Sequence, residues 1–292
     1  MPQDPRAQDP SVVVRYWGAR GSIPSPGPDT VVFGGNTPCV EITFGPGRWI
    51  FDAGTGIRRL GTELMMSEDP VVAAVLITHY HWDHVQGLPF FSPLYQEDTS
   101  VTILGPCVGE VGPSDLLASL MATAHFPIAP ERVEAKVGAR GLEAGTMEVF
   151  GAHVRAFPVR HSPGTVAYRL EVGGRCICYA PDNELVGGRY DTGDDWRADF
   201  EDFVGGADLL IHDAMFTAVE YESVEGWGHS TVEQAVELAM SAGVRRLALF
   251  HHAPDRTDES LIDIVSRSRQ DVARAGHPLK VWAARESEMD VL

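Results

Sequence analysis

The stretch Val71-Val-Ala-Ala-Val-Leu-Ile-Thr-His-Tyr-His-Trp-Asp-His84 joins an apolar run to a dense group of polar side chains. Residues 71–78 predict a strand that is buried on both faces. Potential metal ligands follow it within six positions, at His79, His81, Asp83 and His84. Separate structural roles would require a satisfied hydrogen-bonding niche for each of these groups, so the sequence predicts a metal site at the end of this strand.

Three later apolar runs also end at single side chains that bind metals, namely His161, Asp182 and His251. The C-terminal end of a buried strand is a rigid position for a ligand, so we expect these side chains to join the first cluster. His252 directly follows His251, and neighbouring strand residues point to opposite faces. We favour His251 as the ligand and expect His252 to lie behind it or to face the substrate, with the reverse assignment left open.

The other apolar runs predict short strands and three helices. The predicted strands are residues 11–16, 39–44, 49–51, 71–78, 101–104, 147–150, 153–158, 166–172, 176–179, 209–212, 247–250 and 280–283. The predicted helices are residues 114–124, with Ser114 as N-cap, 231–242, capped by Ser230 or Thr231, and 259–275. This order predicts two packed sheets with helices outside them. We expect one domain over residues 11–292, preceded by a disordered leader over residues 1–10.

The bulk composition is that of a globular protein, with 292 residues, 44% hydrophobic and 22% charged. The formal net charge of −18 argues against broad electrostatic capture of nucleic acid, which requires a basic face. No apolar run approaches the roughly 18 residues that span a membrane, and residues 1–10 lack the pattern of a secretory signal. We therefore expect a cytoplasmic protein without a membrane partner. Cys176 and Cys178 lie in an apolar run and are expected to be packed thiols.

The motif His79-x-His81-x-Asp83-His84, followed in order by His161, Asp182 and His251, resembles the metallo-β-lactamase superfamily over nearly the whole chain. The resemblance implies an α/β fold, a four-layer αββα sandwich with metals at one edge of its two sheets. It also implies two divalent ions, with zinc favoured over manganese or iron. The first ion would be held by His79, His81 and His161, and the second by Asp83, His84 and His251. Asp182 would bridge the two ions.

Further motifs indicate a branch of this superfamily. True β-lactamases place a cysteine or another residue where this chain has Asp182. Phe51-Asp-Ala-Gly54 resembles an early turn of the superfamily, and Leu210-Ile-His-Asp-Ala214 and Gly228-His-Ser-Thr231 resemble ribonuclease Z. Residues 17–24, 34–37, 52–57 and 226–231 resemble a bacterial group of phosphoribosyl cyclic phosphodiesterase-like hydrolases. The resemblance implies phosphodiester hydrolysis. Ribonuclease Z proteins carry a basic arm, whereas lysine occurs here only at Lys136 and Lys280. We therefore expect a small, cyclic nucleotide-like phosphodiester as the substrate, and no large nucleic acid.

In the implied mechanism, a metal-bridging hydroxide attacks phosphorus in line. His229 is the candidate proton donor to the leaving group, with Asp213 orienting its ring, and Asp83 belongs to the catalytic set through the second metal. The alternative for His229 is a solvated histidine at a helix start. Asp52 is expected to fix the loop beneath the ligands or to contact His81 or His84.

Weaker candidates surround this set. The glycine-rich residues 34–37 are expected either to line a phosphate pocket or to form an ordinary turn. Trp17, Arg20 and Trp227 are candidates for a rim on which a flat ring stacks.

Two other functions fit the same residues. A thioester or lactone hydrolase would use the same seven ligands, because an activated water also attacks carbonyl groups. A non-catalytic, metal-stabilised regulatory protein is less compatible with the sequence, since such a protein is expected to lose ligands. The natural substrate, the metal and the oligomeric state, including a homodimer, are left open by the sequence.

Overall fold

Two mixed β-sheets of seven strands each pack face to face, with helices outside them, in a computed structural model of the protein. The structure describes residues 11–109, 111–122, 124, 126–142, 145–187, 190 and 192–292. The expected leader, residues 1–10, lies outside the described residues. The prediction of an αββα sandwich is confirmed.

The first sheet has the spatial order β14-β1-β2-β3-β4-β5-β6, and its strands β3 to β6 run parallel. Its strands are β1 Val13–Gly18, β2 Cys39–Phe44, β3 Gly47–Phe51, β4 Val72–Leu76, β5 Ser100–Gly105, β6 Lys136–Gly141 and β14 Met289–Val291. The antiparallel strands β14, β1 and β2 complete the sheet on the other side of β3.

The second sheet has the order β13-β12-β11-β10-β9-β8-β7, and β10 to β13 run parallel. Its strands are β7 Thr146–Val149, β8 Ala152–Pro158, β9 Val166–Val172, β10 Arg175–Ala180, β11 Leu209–Asp213, β12 Arg246–Phe250 and β13 Lys280–Ala283. The helices are α1 Ile57–Leu64, α2 Trp82–Val85, α3 Pro113–Leu120, α4 Trp196–Val204, α5 Ala218–Tyr221, α6 Val232–Ser241 and α7 Asp258–Arg274.

The core between the sheets is rich in buried aromatic side chains. Phe51 lies edge-on to Tyr168, with ring centroids 5.7 Å apart, and Tyr179 packs against both Phe51 and Phe250. The outer faces carry two further buried clusters under the helices. Since both faces of each sheet are covered, the continuous apolar runs of the central strands follow from their position.

The parallel strands bring the polar residues that follow them to one edge of the sandwich. Asp52 follows β3, His79 follows β4 after two residues, Asp182 follows β10, and His251 follows β12. Parallel strands of one sheet end on the same side, so packing the two sheets face to face converts scattered sequence positions into one site.

Several predicted elements differ from the observed ones. The helix expected at residues 114–124 begins at Pro113 and ends at Leu120, so Ser114 does not cap it. Proline is favoured at the first helical position because it has no N–H to leave unpaired. Of the two caps expected for α6, Thr231 is the observed one, and its Oγ1 accepts a hydrogen bond from Gln234 N at 3.1 Å. Helices α1, α2, α4 and α5 and strands β6 and β14 were absent from the prediction.

The two cysteines of β10 lie on the face of the second sheet that packs under the helices, as expected. Cys178 is buried in that cluster, and Cys176 packs partly against it. Both are free thiols. No helix within the described ranges has the length and apolar character needed to cross a membrane.

A buried tyrosine hydrogen bond helps to join the two sheets at the edge that carries the polar residues. The Tyr168 hydroxyl in β9 donates to Ile77 O, two residues before His79, at 2.6 Å. We predict that Tyr168→Phe lowers the free energy of unfolding by about 1–3 kcal/mol, because it leaves a buried carbonyl unpaired. Urea denaturation measures this difference.

Tyr95→Phe is the matched control for that substitution. Its hydroxyl donates to Pro89 O at the same distance of 2.6 Å, but the pair is only partly buried, so water replaces the lost bond. A loss of stability as large in Tyr95→Phe as in Tyr168→Phe would contradict the role given to burial.

Candidate metal centre

The structure brings the metal-binding candidates together in two neighbouring groups. In each group, one ligand atom per residue lies within 4.8 Å of the others. The first group is His79, His81, His161 and Asp182, and the second is Asp83, His84 and His251. This division is the one that the resemblance implied. The role of these side chains as ligands remains a prediction, and their convergence is the geometry that it requires.

Asp182 lies between the two groups and faces each with a different oxygen. Its Oδ2 lies 3.4 Å from His161 Nε2 and 3.7 Å from His79 Nε2. Its Oδ1 lies 3.1 Å from His84 Nε2 and 3.3 Å from His251 Nε2. A carboxylate in this position can bind one metal through each oxygen.

Several buried atoms of the cluster have no hydrogen-bond partner. They include His79 Nε2, His84 Nε2 and Asp182 Oδ1. His84 Nε2 and Asp182 Oδ1 lie 3.1 Å apart but do not form a hydrogen bond with each other. Unpaired polar atoms in a protein interior are costly, and a bound cation would satisfy them. The donor set of imidazoles and carboxylates also fits divalent zinc, manganese or iron.

Burial and neighbouring charges shift the pKa values of two members of the cluster. Burial lowers the pKa of His79 well below its ordinary value, the His84 ring adds to this effect, and Asp182 acts against it. Burial alone would raise the pKa of Asp182, but His251 and His84 hold it well below the usual range. A neutral imidazole and an ionised carboxylate are the forms that coordinate a metal.

Asp52 holds the first cluster from beneath. Its Oδ1 accepts a hydrogen bond from Thr78 N at 2.8 Å, and its Oδ2 lies 2.8 Å from His84 Nδ1. The Tyr179 hydroxyl donates to the same Oδ2 at 2.9 Å. Asp52 adopts a φ of 58°, which turns its side chain under the strand end. Both expected roles are therefore present, and His84 is the ring that Asp52 orients.

His251 enters the cluster through a turn in the backbone. Its φ is 58°, so the alternation of a strand does not apply to it, and its Nε2 lies 3.2 Å from Asp83 Oδ2. The buried His252 ring donates from Nε2 to Ala284 O at 2.9 Å instead. Burial lowers the pKa of His252 to about 3. The structure thus places His252 behind the site, and the alternative that it faces the substrate is wrong.

A carboxylate that the sequence reading missed holds the loop beside His161. Glu184 is fully buried, and its two oxygens accept hydrogen bonds from Gly226 N at 2.7 Å and Gly228 N at 2.9 Å. Gly228 O in turn lies 3.0 Å from His161 Nδ1 and fixes that ring. The Tyr221 hydroxyl also donates to Glu184. In the sequence, Glu184 stands two residues after Asp182, which is the one hint of a role at the site. No hydrophobic periodicity distinguishes it from a glutamate on the surface.

His229 and Asp213 form a buried pair beside the second group. His229 Nδ1 lies 2.7 Å from Asp213 Oδ2, and Asp213 is held by Met215 N at 3.0 Å. The His229 ring stacks on His251, with centroids 4.9 Å apart. Burial acts to lower the pKa of His229, but the charge of Asp213 outweighs it and raises the pKa to about 9. The alternative of a solvated histidine is wrong, because His229 is buried, with only 8% of its surface exposed.

Two of the three expected rim residues lie inside the protein. Trp17 is buried and donates from Nε1 to Glu41 Oε2 at 3.1 Å. Arg20 is fully buried, and its guanidinium donates to backbone oxygens such as Gly34 O at 2.9 Å. These polar groups find partners in the interior, which a sequence pattern does not reveal. Trp227 is exposed, as expected.

The glycine-rich residues 34–37 form a structural turn. Gly34 N donates to Thr30 O at 2.8 Å, Asn36 N to Glu286 Oε1 at 2.6 Å, and Thr37 N to Thr55 Oγ1 at 2.9 Å. These N–H groups donate to acceptors within the protein and are not free to bind a phosphate. The segment therefore forms an ordinary turn and not a phosphate pocket.

The sandwich fold and the clustered donors together define a metal-dependent hydrolase, as the sequence predicted. The chain belongs to the β-lactamase superfamily, since residues 48–252 match the family model described as "Beta-lactamase superfamily domain". A ribonuclease Z from Synechococcus sp. (strain CC9311) is 28% identical over 253 residues, which is 70% of this chain and 78% of that protein. The predicted relationship to the ribonuclease Z branch is thereby confirmed.

Solved structures share the fold over almost the whole chain. The metallo-beta-lactamase fold protein YhfI from Bacillus subtilis matches 97% of this chain and 100% of its own, with a TM-score of 0.67 and 17% identity. The short form of human tRNase Z matches 95% of this chain and 98% of its own, with a TM-score of 0.65 and 22% identity. At these identities the likeness shows the fold alone.

The prediction that no large nucleic acid is a partner is wrong. It is contradicted by the relationship to ribonuclease Z. The prediction rested on the net charge and on the scarcity of lysine. Net charge is a property of the whole chain, whereas attraction of a phosphodiester backbone depends on the field at the site, which bound metal ions dominate.

Gly228 offers a direct test of the support given to His161. Its φ is 88°, and an added Cβ would lie 2.2 Å from His161 Nδ1. We predict that Gly228→Ala displaces the ring and weakens zinc binding by about 10–100-fold, the usual cost of disturbing a ligand's support. Competition with a zinc chelator measures the affinity.

Gly145→Ala is the control, because Gly145 has a φ of 90° and open space where the Cβ would stand. It carries the same backbone strain without the contact. If both variants keep the wild-type zinc affinity, the ring does not depend on Gly228.

Proposed function

We propose that the protein is a dinuclear metal-dependent phosphodiesterase. The observation that carries this proposal is the position of Asp182, which faces one group of donors with each oxygen. A site with two separate donor groups and a shared carboxylate suits a pair of divalent ions and an in-line displacement at phosphorus. The His229–Asp213 pair beside it and the ribonuclease Z relative favour phosphodiesters over carbonyl compounds.

The chain's own residues would divide the work as follows. His79, His81 and His161 would hold the first ion, and Asp83, His84 and His251 the second, with Asp182 shared. When bound, such ions lower the pKa of a water and offset the charge of the phosphate oxygens. Three neutral imidazoles favour zinc in the first position, and the carboxylate of the second also suits manganese or iron.

The leaving group of a phosphodiester needs a proton at neutral pH, and His229 is placed to provide it. Asp213 Oδ2 accepts a hydrogen bond from His229 Nδ1 at 2.7 Å, which fixes the ring and leaves Nε2 as the nitrogen that would carry the proton to the leaving group. Ser22 N donates to Asp83 Oδ2 at 2.8 Å and holds that carboxylate while substrate binds. The proposed ligands thus lie at strand ends or in the segments that follow them, and the proposed proton donor lies in the loop before α6.

A substrate panel tests the proposed reaction. Zinc-loaded protein is expected to hydrolyse bis(p-nitrophenyl) phosphate and at least one of two phosphodiester classes, a nucleoside 2′,3′-cyclic phosphate or a transfer RNA with a 3′ extension. Chelation should abolish turnover, and added zinc should restore it, because the nucleophile depends on the metal. Turnover of a lactone or a glutathione thioester, with none of any phosphodiester, would replace the proposal by a carbonyl hydrolase of the same fold.

Substitution of His229 tests its role as proton donor. We predict that His229→Ala lowers the rate on an alkyl phosphodiester by about 10²–10⁴-fold, but much less on a p-nitrophenyl ester, whose leaving group needs no proton. Asp213→Asn should show the same trend with a smaller loss, because the ring stays but its orientation is weakened. Steady-state kinetics on the two esters provides the comparison.

The metal content of the same variant separates this role from coordination. A ligand atom of His229 also lies within 4.8 Å of those of Asp182 and His251. A proton donor can be lost without a change in zinc per chain. Equal rate losses on both esters, together with a fall in zinc content, would make His229 a ligand instead.

A further inference from the structure

Two tryptophans stand out because they are exposed beside the metal centre. Trp82 and Trp227 are each 66% exposed. Trp17, Trp49 and Trp196 are buried, as is usual for so large an apolar side chain. Exposed indole rings cost solvation free energy in the free protein, and they are common where a protein binds another flat or apolar surface.

Local structure turns both rings outward. Trp82 is the first residue of α2, and the three residues that follow it are buried, so it alone lies on the outer side of that turn. Trp227 lies between Gly226 and Gly228, whose φ angles are 85° and 88° and whose N–H groups both bond to Glu184. The loop is held on either side of Trp227, so the position of this exposed residue is fixed.

Both tryptophans are chain neighbours of residues on the exposed side of the donor cluster. His81, which precedes Trp82, is the exposed member of its group of donors, whereas His79 and Asp182 are buried. His81 Nδ1 lies 3.0 Å from His161 Nε2, and His161 Nδ1 lies 3.0 Å from Gly228 O, which follows Trp227. Two contacts therefore link His81, the neighbour of Trp82, to Gly228, the neighbour of Trp227, through His161.

We propose that Trp82 and Trp227 form an aromatic rim that stacks on the base of a nucleoside-containing phosphodiester. The inference rests on the proposed function and specifies its substrate class. Stacking on indole is tolerant of the identity of the base, and it attracts a nucleotide without positive charge from the protein. This suits a chain with a net charge of −18, in which the metals neutralise the phosphate and the rim holds the base.

Binding of two product-like phosphates tests the rim without any turnover. Adenosine 5′-monophosphate and ribose 5-phosphate differ by the base alone. Zinc-loaded protein should bind the nucleotide about tenfold more tightly or better, and Trp82→Ala or Trp227→Ala should each weaken nucleotide binding about tenfold while leaving ribose 5-phosphate unchanged. Calorimetry measures both affinities, and Trp82→Phe should recover part of the loss.

Phe150→Ala is the control, because Phe150 is 43% exposed at the β7–β8 turn, near the start of β3 and away from the metal edge. It should leave both affinities unchanged. Equal binding of the two phosphates by the wild-type protein, or unchanged nucleotide binding in both tryptophan variants, would overturn the aromatic rim.

Hydrolysis assays on the same variants separate the rim from the reaction. The tryptophan variants should raise KM for adenosine 2′,3′-cyclic phosphate, but not for glycerol 1,2-cyclic phosphate, which has no base. Base-dependent binding with no phosphodiester turnover would refute the proposed function and leave the rim intact. Turnover of both compounds with the same KM in wild type and variants would refute the rim alone.

Discussion

The structure depends on placing one buried carboxylate, Asp182, among four imidazoles. The nearest distances between Asp182 and the four rings are 3.1–3.7 Å, and several of these buried polar atoms have no hydrogen-bond partner. In an interior of low dielectric, such an arrangement is unfavourable unless a cation joins it. The fold tolerates it because Asp182 lies at the end of β10 and His79 near the end of β4, so each side chain is held by a strand buried on both faces. The unfavourable free energy of these unpaired atoms in the metal-free protein would be relieved when a metal binds, which would strengthen metal binding.

Two further buried carboxylates differ from Asp182, because hydrogen-bond donors of the protein satisfy their oxygens. Asp52 accepts from Thr78 N, the Tyr179 hydroxyl and the His84 ring. Glu184 accepts from two loop N–H groups and from two tyrosine hydroxyls, those of Tyr190 and Tyr221. Saturated carboxylates are poor metal ligands but rigid supports. Asp182, Asp52 and Glu184 thus share a chemistry and differ in function only through the number of donors around each.

The sequence predicts the features that depend on strong local patterns. Continuous apolar runs predicted β4, β10 and β12, and the metal-binding side chains at their ends predicted which strands meet at one edge. Strand β6 escaped prediction because most of its side chains are exposed, and β14 because it spans three residues at the sheet edge. The burial of Arg20 and Glu184 was not predicted, for a different reason. Each is a charged residue buried by long-range hydrogen bonds, and nothing in the neighbouring sequence shows which distant backbone groups will meet it.

The acidic composition needs a different interpretation from the one that a charge count suggests. Electrostatic binding of nucleic acid is usually attributed to basic residues that displace counterions. In this fold, the seven donor side chains would hold about four positive charges at one point when two divalent ions are bound. That charge would be held between Asp182 and the exposed His81, and its field would act on a phosphate bound there. An acidic surface elsewhere repels phosphates that approach away from this edge. A negative net charge therefore does not exclude a phosphodiester substrate.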